Sequence, residues 1–239
     1  MKQPILILLI VLSAVLPSFA QRKNETKQAK CTLAIDRAPE LRGLRVGATQ
    51  ASVLARFPGV SVGKPDKLGV TQLRLTVIDS GAVVKSVASR EKPVRLDMTS
   101  LQGEEGAFTV DAAKFPALKG VARIQLRFLD NRLSNIQIAY DDSIKWVSVE
   151  DFIETVSNIL KLPTEWQVPA EAESQSEKEL RCEDFVITAH VGSEASDTRI
   201  GAQLTVEDLT ASKTIQKRQD DLKEKAQQTE DAKRKNFKP

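Results

Sequence analysis

The sequence predicts an α+β domain in which two short-to-medium helices pack on one face of an antiparallel β-sheet. Three observations lead there. Residues 121–129 and 133–140 alternate apolar and polar side chains strictly on either side of Asp130-Asn131-Arg132. Residues 149–160 repeat apolar side chains at helical spacing between Ser148 and Pro163, and residues 185–191 and 200–206 then alternate again. The order is helix, strands, helix, strands, a loose duplication without sequence identity between its halves. A polar C-terminal helix or tail follows. The 41% hydrophobic and 28% charged content is ordinary for one folded domain. The chain divides into a leader (1–20), a flexible lead-in (21–30), a single α+β domain (31–209) and a basic helical or disordered tail (210–239).

From the N-terminus, Lys2 precedes an apolar run over residues 5–16 interrupted only by Ser13 and Ala14, and Ser18-Phe19-Ala20 places small residues where a signal peptidase reads. The run is too short to cross a hydrocarbon core of roughly 30 Å. The expectation is a signal peptide cut after Ala20, a mature chain beginning at Gln21, and a periplasmic or secreted protein with no integral membrane span. Residues 21–30 are polar and lack apolar periodicity.

The first helix is predicted after Thr49, whose hydroxyl can cap it. Val53, Leu54 and Phe57 form its apolar stripe and Pro58-Gly59 stops it. Leu73, Leu75 and Val77 alternate with Arg74 and Thr76, predicting a strand. Residues 79–119 are less regular: Val83-Val84 and residues 107–110 suit strands, while Gly103-Glu104-Glu105-Gly106 and two prolines suggest a long excursion. The stretches 121–129 and 133–140 predict a hairpin with one dry face, carrying Ile124, Leu126, Phe128, Ile136, Ile138 and Tyr140. Ser148 caps the second helix, with Asp151 near the positive end of its dipole. Val149, Phe152, Ile153, Val156, Ile159 and Leu160 form its inner side, and Glu150, Asp151, Glu154, Ser157 and Asn158 its outer side. Residues 169–179 read as an acidic linker. A second hairpin follows through Phe185, Ile187, Ala189 and Val191, then Ile200, Ala202, Leu204 and Val206. Beyond Thr210 the large apolar residues are Ile215, Leu222 and Phe237, so a solvated helix fraying at its basic end is expected.

Cys31 and Cys182 are the only cysteines, so a single intramolecular pairing exists. Outside the cytoplasm a disulfide would persist, closing a loop worth roughly 5 kcal/mol in the chain-entropy model. Two separate buried thiols are the alternative. Cys31 does not fit a lipoprotein cysteine, because polar residues separate it from the apolar run. A metal site has little to build on: His190 is the sole histidine and no Cys-x-x-Cys occurs. No cofactor is expected.

The net charge of +3 belongs to the tail, where nine Lys/Arg face five Asp/Glu from Lys213 onward. The rest of the mature chain is slightly acidic, which argues against a nucleic-acid partner.

Leu44-Arg45-Val46-Gly47-Ala48-Thr49 followed by Val53 resembles the Gly-Met-Thr-x-x-x-Val opening of the small lipoprotein of the outer-membrane β-barrel assembly machinery. That family, like the β-lactamase-inhibitor-protein fold it resembles, packs short helices on an antiparallel sheet. Ala48 occupies the Met position, and the family's N-terminal lipobox cysteine is missing. The resemblance implies a protein-binding envelope component without enzymatic activity. The layout also looks like exported bacterial proteins of unassigned role.

For chemistry, the sequence holds no Gly-x-Ser-x-Gly, no phosphate loop and no His-Glu-x-x-His. His190 lies on the polar side of its strand, away from any nucleophile motif. Asp141-Asp142 reads as a turn before Trp146, although an extracytoplasmic hydrolase using a carboxylate pair such as Asp142 and Glu150 is the alternative function. Trp146 and Trp166 flank the second helix, where they close a core or form a ligand platform. The candidate binding surface is the wet face of the sheet: Arg74, Arg123 and Arg127 with Gln125, Asn135 and Gln137. Such a face suits an acidic segment of another extracytoplasmic protein or an anionic envelope component. The reading is therefore an exported, non-enzymatic, monomeric binding module.

Overall fold

Asp130 and Asn131 both take positive φ, 47° and 65°, and this sets the hairpin that organises the sheet. A two-residue turn with both residues left-handed matches the right-handed twist of its strands. It joins β3 (Val121–Leu129) to β4 (Arg132–Asp141), so Arg132 opens β4 and pairs with Leu129 instead of sitting in the turn. The structure, a computed structural model, describes residues 31–80, 106–169, 176–192 and 200–235. The predicted leader and its cleavage point between Ala20 and Gln21, the lead-in, and Val83-Val84 lie outside the described residues.

The protein is α+β. Seven strands form one sheet in the order β2-β1-β3-β4-β7-β6-β5, with β1 at Val70–Ile78, β2 at Ala107–Asp111, β5 at Glu177–Arg181, β6 at Phe185–Val191 and β7 at Ile200–Asp208. All neighbours are antiparallel except β1 and β2. A parallel pair cannot be closed by a tight hairpin, in keeping with the long stretch of chain between those two strands. Alternation produces a continuous buried row across six strands, Leu73, Leu126, Ile136, Val206, Ile187 and Leu180. Leu75, Ile124, Ile138, Leu204 and Ala189 run beside it. On β4 the register shifts next to Phe128, and the buried Ser134 donates its hydroxyl to the Arg127 carbonyl at 3.0 Å.

Two helices cover this dry face. The Thr49 hydroxyl accepts from the Ser52 N–H at 3.2 Å and starts α1 (Gln50–Leu54), which buries Val53, with Phe57 buried just beyond it. The Gly47 N–H donates to the Leu133 carbonyl, the Leu133 N–H to Ala48, and the Gln50 N–H to Asn131. Residues 47–50 therefore clip α1 onto the β3–β4 turn. The Ser148 hydroxyl accepts from the Asp151 N–H at 3.3 Å and starts α2 (Val149–Leu160). Left-handed Lys161 closes it.

Two residues of α2 depart from the expected stripe, and they occupy its opposite edges. Ile159 is 73% exposed, whereas Ser157 is buried. The chain after the helix folds back over the Ser157 side. There the Trp166 indole N–H donates to the Pro163 carbonyl at 2.8 Å and to the Ser157 hydroxyl at 3.2 Å, so Trp166 is a structural tie. Nothing comparable covers Ile159 among the described residues. The expected linker also changes, because Glu177–Arg181 forms edge strand β5, bridged by Gln167 to Glu179. One buried side chain, Leu180, was too little to show as a period-two pattern.

A disulfide joins Cys31 and Cys182, with Cα atoms 4.4 Å apart. It fixes the first described residues to the β5–β6 turn, where the Asp184 carboxylate also accepts from the Ile35 N–H at 3.1 Å. The C-terminal helix α3 (Leu209–Lys235) is docked at its start. Asp208 caps it by accepting from the N–H groups of Thr210 and Ala211. Ala211 and Ile215 pack on Leu68, Val70 and Leu129. Arg218 donates to both oxygens of Asp130, at 3.0 and 2.6 Å, and to the Leu68 carbonyl. The spacing Ala211, Ile215, Arg218 supplies a short inner stripe that a count of large apolar residues overlooks. From residue 220 to 235 every position is exposed. Among the described residues, no helix is long and apolar enough to cross a membrane.

Candidate functional site

The face of the sheet opposite α1 and α2 carries the other half of each alternation. Arg74, Gln125, Gln137, Thr205, Thr188 and Glu179 are successive cross-strand neighbours from β1 to β5. On one side of that row lie Arg123, Gln203, His190 and Glu177; on the other lie Gln72, Arg127, Asn135 and Glu207. Neighbouring side chains in such rows stand about 5 Å apart. All six residues singled out in the sequence therefore share one face on three adjacent strands. Arg74 and Arg127 are exposed and the other four half-buried.

The charge on this face is mixed. Arg74, Arg123 and Arg127 sit on β1 and β3 with Asp111 on neighbouring β2, while Glu177, Glu179 and Glu207 sit on β5 and β7, where Arg181 of β5 pairs with Glu179 at 3.4 Å. The Glu207 carboxylate accepts from the Ser212 hydroxyl and is thereby turned toward α3. The first turns of α3 bound one end of the face, over Val70 and Leu129. Gln203 Oε1 is buried without a partner among the described residues.

His190 lies in a row with Gln203 and Glu177, with no nucleophile in register beside it. No cluster of three or more potential metal ligands occurs among the described residues. The carboxylates of the hydrolase alternative are committed elsewhere. Asp141 accepts from the Ser143 N–H at 3.0 Å and from its hydroxyl, which makes residues 141–143 a turn. Asp142 pairs with Lys145 at 3.1 Å and Glu150 with Lys178 at 3.2 Å. Its own backbone N–H, Lys178 and the Ser148 hydroxyl hold the Glu150 carboxyl below its ordinary range. A general acid needs the opposite shift.

Sequence reasoning missed a cleft of about 390 Å³ on the dry side, between α2 and the turn at Arg42. Its walls include Tyr140, Trp146, Phe152 and Val156. Phe152 contacts Tyr140 and Trp146 edge-on, with centroids 5.9 and 4.9 Å away. The Trp146 indole N–H is buried without an acceptor among the described residues. The Arg42 guanidinium lies 5.7 Å from the Tyr140 ring centroid, and burial pushes the Tyr140 phenol above its ordinary range. The available signal was the pair Tyr140 and Trp146 beside an Ile159 at the stripe's edge.

Comparison with known proteins returns no match: no family model fits the chain, and no curated protein or solved structure is significantly similar to it.

Proposed function

We propose that the chain is an exported, non-enzymatic binding module that docks an acidic segment of another extracytoplasmic protein on the arginine side of its polar sheet face. The observation that carries this reading is the register of β1, β3 and β4. It sets Arg74, Arg123 and Arg127 among Gln125, Asn135 and Gln137 on one face. Arginines flanked by amide side chains offer a carboxylate both charge and hydrogen-bond donors. The Cys31–Cys182 bridge supports an oxidising compartment, and the leader read from residues 1–20 supplies the route there. The likeness of residues 44–53 to the assembly-machinery lipoprotein fits a scaffold role, since those residues hold α1 on the hairpin. The module works as a monomer without a cofactor.

The test is a fluorescently labelled Asp/Glu-rich peptide titrated with mature protein at low and physiological salt. The expected result is saturable binding that weakens with salt and falls at least tenfold in the Arg123→Glu/Arg127→Glu variant. Equal binding by the variant, or none by the native chain, overturns the docking face. Intact mass after secretion should begin at Gln21 and fall short of the reduced mass by two hydrogens.

A further inference from the structure

We infer that the cleft between α2 and the Arg42 turn binds a free single-chain amphiphile, an aliphatic chain ending in a carboxylate. The inference is independent of the polar face, which lies on the other side of the sheet. The cleft's volume of about 390 Å³ falls within the roughly 300–1,000 Å³ that small-molecule sites occupy. Its floor is apolar and fixed, because Phe152, Val156 and Leu204 are buried core residues and the Tyr140 and Trp146 rings lock edge-on against Phe152. The mouth is apolar as well. Ile144 and Ile159, 58% and 73% exposed, both line it, and Val147, 92% exposed, follows Trp146 directly. Single exposed apolar side chains are commonplace, but here Ile144 and Ile159 meet at the rim of one cavity.

The head group follows from charge. Glu40 and Asp141 line the cleft, yet Glu40 pairs with Arg45 at 3.8 Å and Asp141 accepts from Ser143. Arg42 and Lys119 also line it, and neither has a carboxylate partner among the described residues. Ser143 is neutral, so Asp141 keeps its charge, but with Glu40 offset by Arg45 the pair Arg42 and Lys119 against Asp141 leaves one positive charge in excess. The Tyr140 phenol, which also lines the cleft, adds a neutral donor. Arg42 reaches this position through a tight turn closed by reciprocal Leu41–Leu44 hydrogen bonds, in which it takes φ 54° ahead of Gly43 at 84°. That conformation is unfavourable for a residue with a Cβ, and such strain concentrates at ligand sites. One chain fills a cavity of this size, whereas a bilayer surface would need a broad apolar face.

The experiment is calorimetric titration of the disulfide-bonded mature chain with decanoate below its micelle concentration, alongside decanol and acetate. Decanoate should bind one per chain, decanol at least tenfold more weakly, and acetate not at all. Arg42→Gly suits its backbone conformation and keeps the fold, and should weaken decanoate at least tenfold while leaving decanol unchanged. Ile159→Glu, at an exposed position, should weaken both. The absence of saturable decanoate binding overturns the inference, as does binding insensitive to both variants. Association with phosphatidylglycerol vesicles without binding of free decanoate also overturns it, in favour of a membrane surface.

Discussion

Removing the disulfide with a Cys31→Ser/Cys182→Ser variant should lower global stability by several kcal/mol. The bridge spans a sequence separation of 151 residues. In the chain-entropy model, cross-linking a loop of that length removes about 17 cal/mol/K from the unfolded ensemble, or about 5 kcal/mol at 25 °C. Residual structure in the unfolded chain brings the expected loss to about 3–5 kcal/mol. The size of the effect depends on whether residues 31–48 unfold together with the sheet. Their packing says that they do: Ala38, Leu41, Leu44 and Val46 are buried in the same core as Leu126, Ile136 and Val206. Urea denaturation of the two chains, followed by tryptophan fluorescence and far-ultraviolet circular dichroism, measures the difference. At this domain size the thermal midpoint should drop by about 2–4 °C for each kcal/mol lost. A loss below about 1 kcal/mol with coincident transitions would refute the reasoning. The bridge would then merely tether an N-terminal segment able to detach without unfolding the sheet.

Two further predictions concern the core and the docked helix. Ile136→Ala removes a fully buried side chain from the centre of the six-strand row and should cost about 2–5 kcal/mol by urea denaturation. Arg218→Ala breaks the paired contact to Asp130 and should expose residues 219–235 to faster proteolysis with the sheet intact. Arg218 holds the Asp130 carboxyl below its ordinary range. The contact therefore stabilises above the unfolded carboxyl value of about 4 and is lost as pH falls through the lowered folded value. The stability gap between native and variant chains should be constant near neutral pH and close in acid.

What the sequence disclosed follows from how local each feature is. The β3–β4 hairpin was legible because its dry face is fully buried and its turn lies within the chain segment that forms it. Ser148 and Thr49 were legible as caps for the same reason: each bonds a backbone N–H three residues away. Strand β5 was hidden because an edge strand with one buried side chain carries no period. The docking of α3 was hidden because its anchors, Leu68 and Asp130, are far away in sequence. The polar face was legible as a set of residues once strand pairing was assumed, since alternation assigns faces without any tertiary knowledge. The cleft was not. It needs Arg42, Tyr140, Trp146 and Ile159 brought together by the packing of two separate covering elements.

That contrast separates the two proposed sites physically. The polar face depends on strand register, which the buried rows Leu73 to Leu180 and Leu75 to Ala189 fix on the opposite side of the sheet. A substitution on the polar face leaves those rows unchanged, and one at the cleft mouth leaves the register unchanged. Arg123 and Arg127 lie on the face of the sheet turned away from the layer that holds Arg42 and Ile159. Effects at sites this far apart add. A chain carrying Arg42→Gly with Arg123→Glu and Arg127→Glu should therefore show the decanoate loss of the first and the acidic-peptide loss of the others, neither enlarged. A decanoate response to the arginine reversals would mean that the covering layer and the sheet move as a coupled pair, and the two faces would then have to be treated as one site.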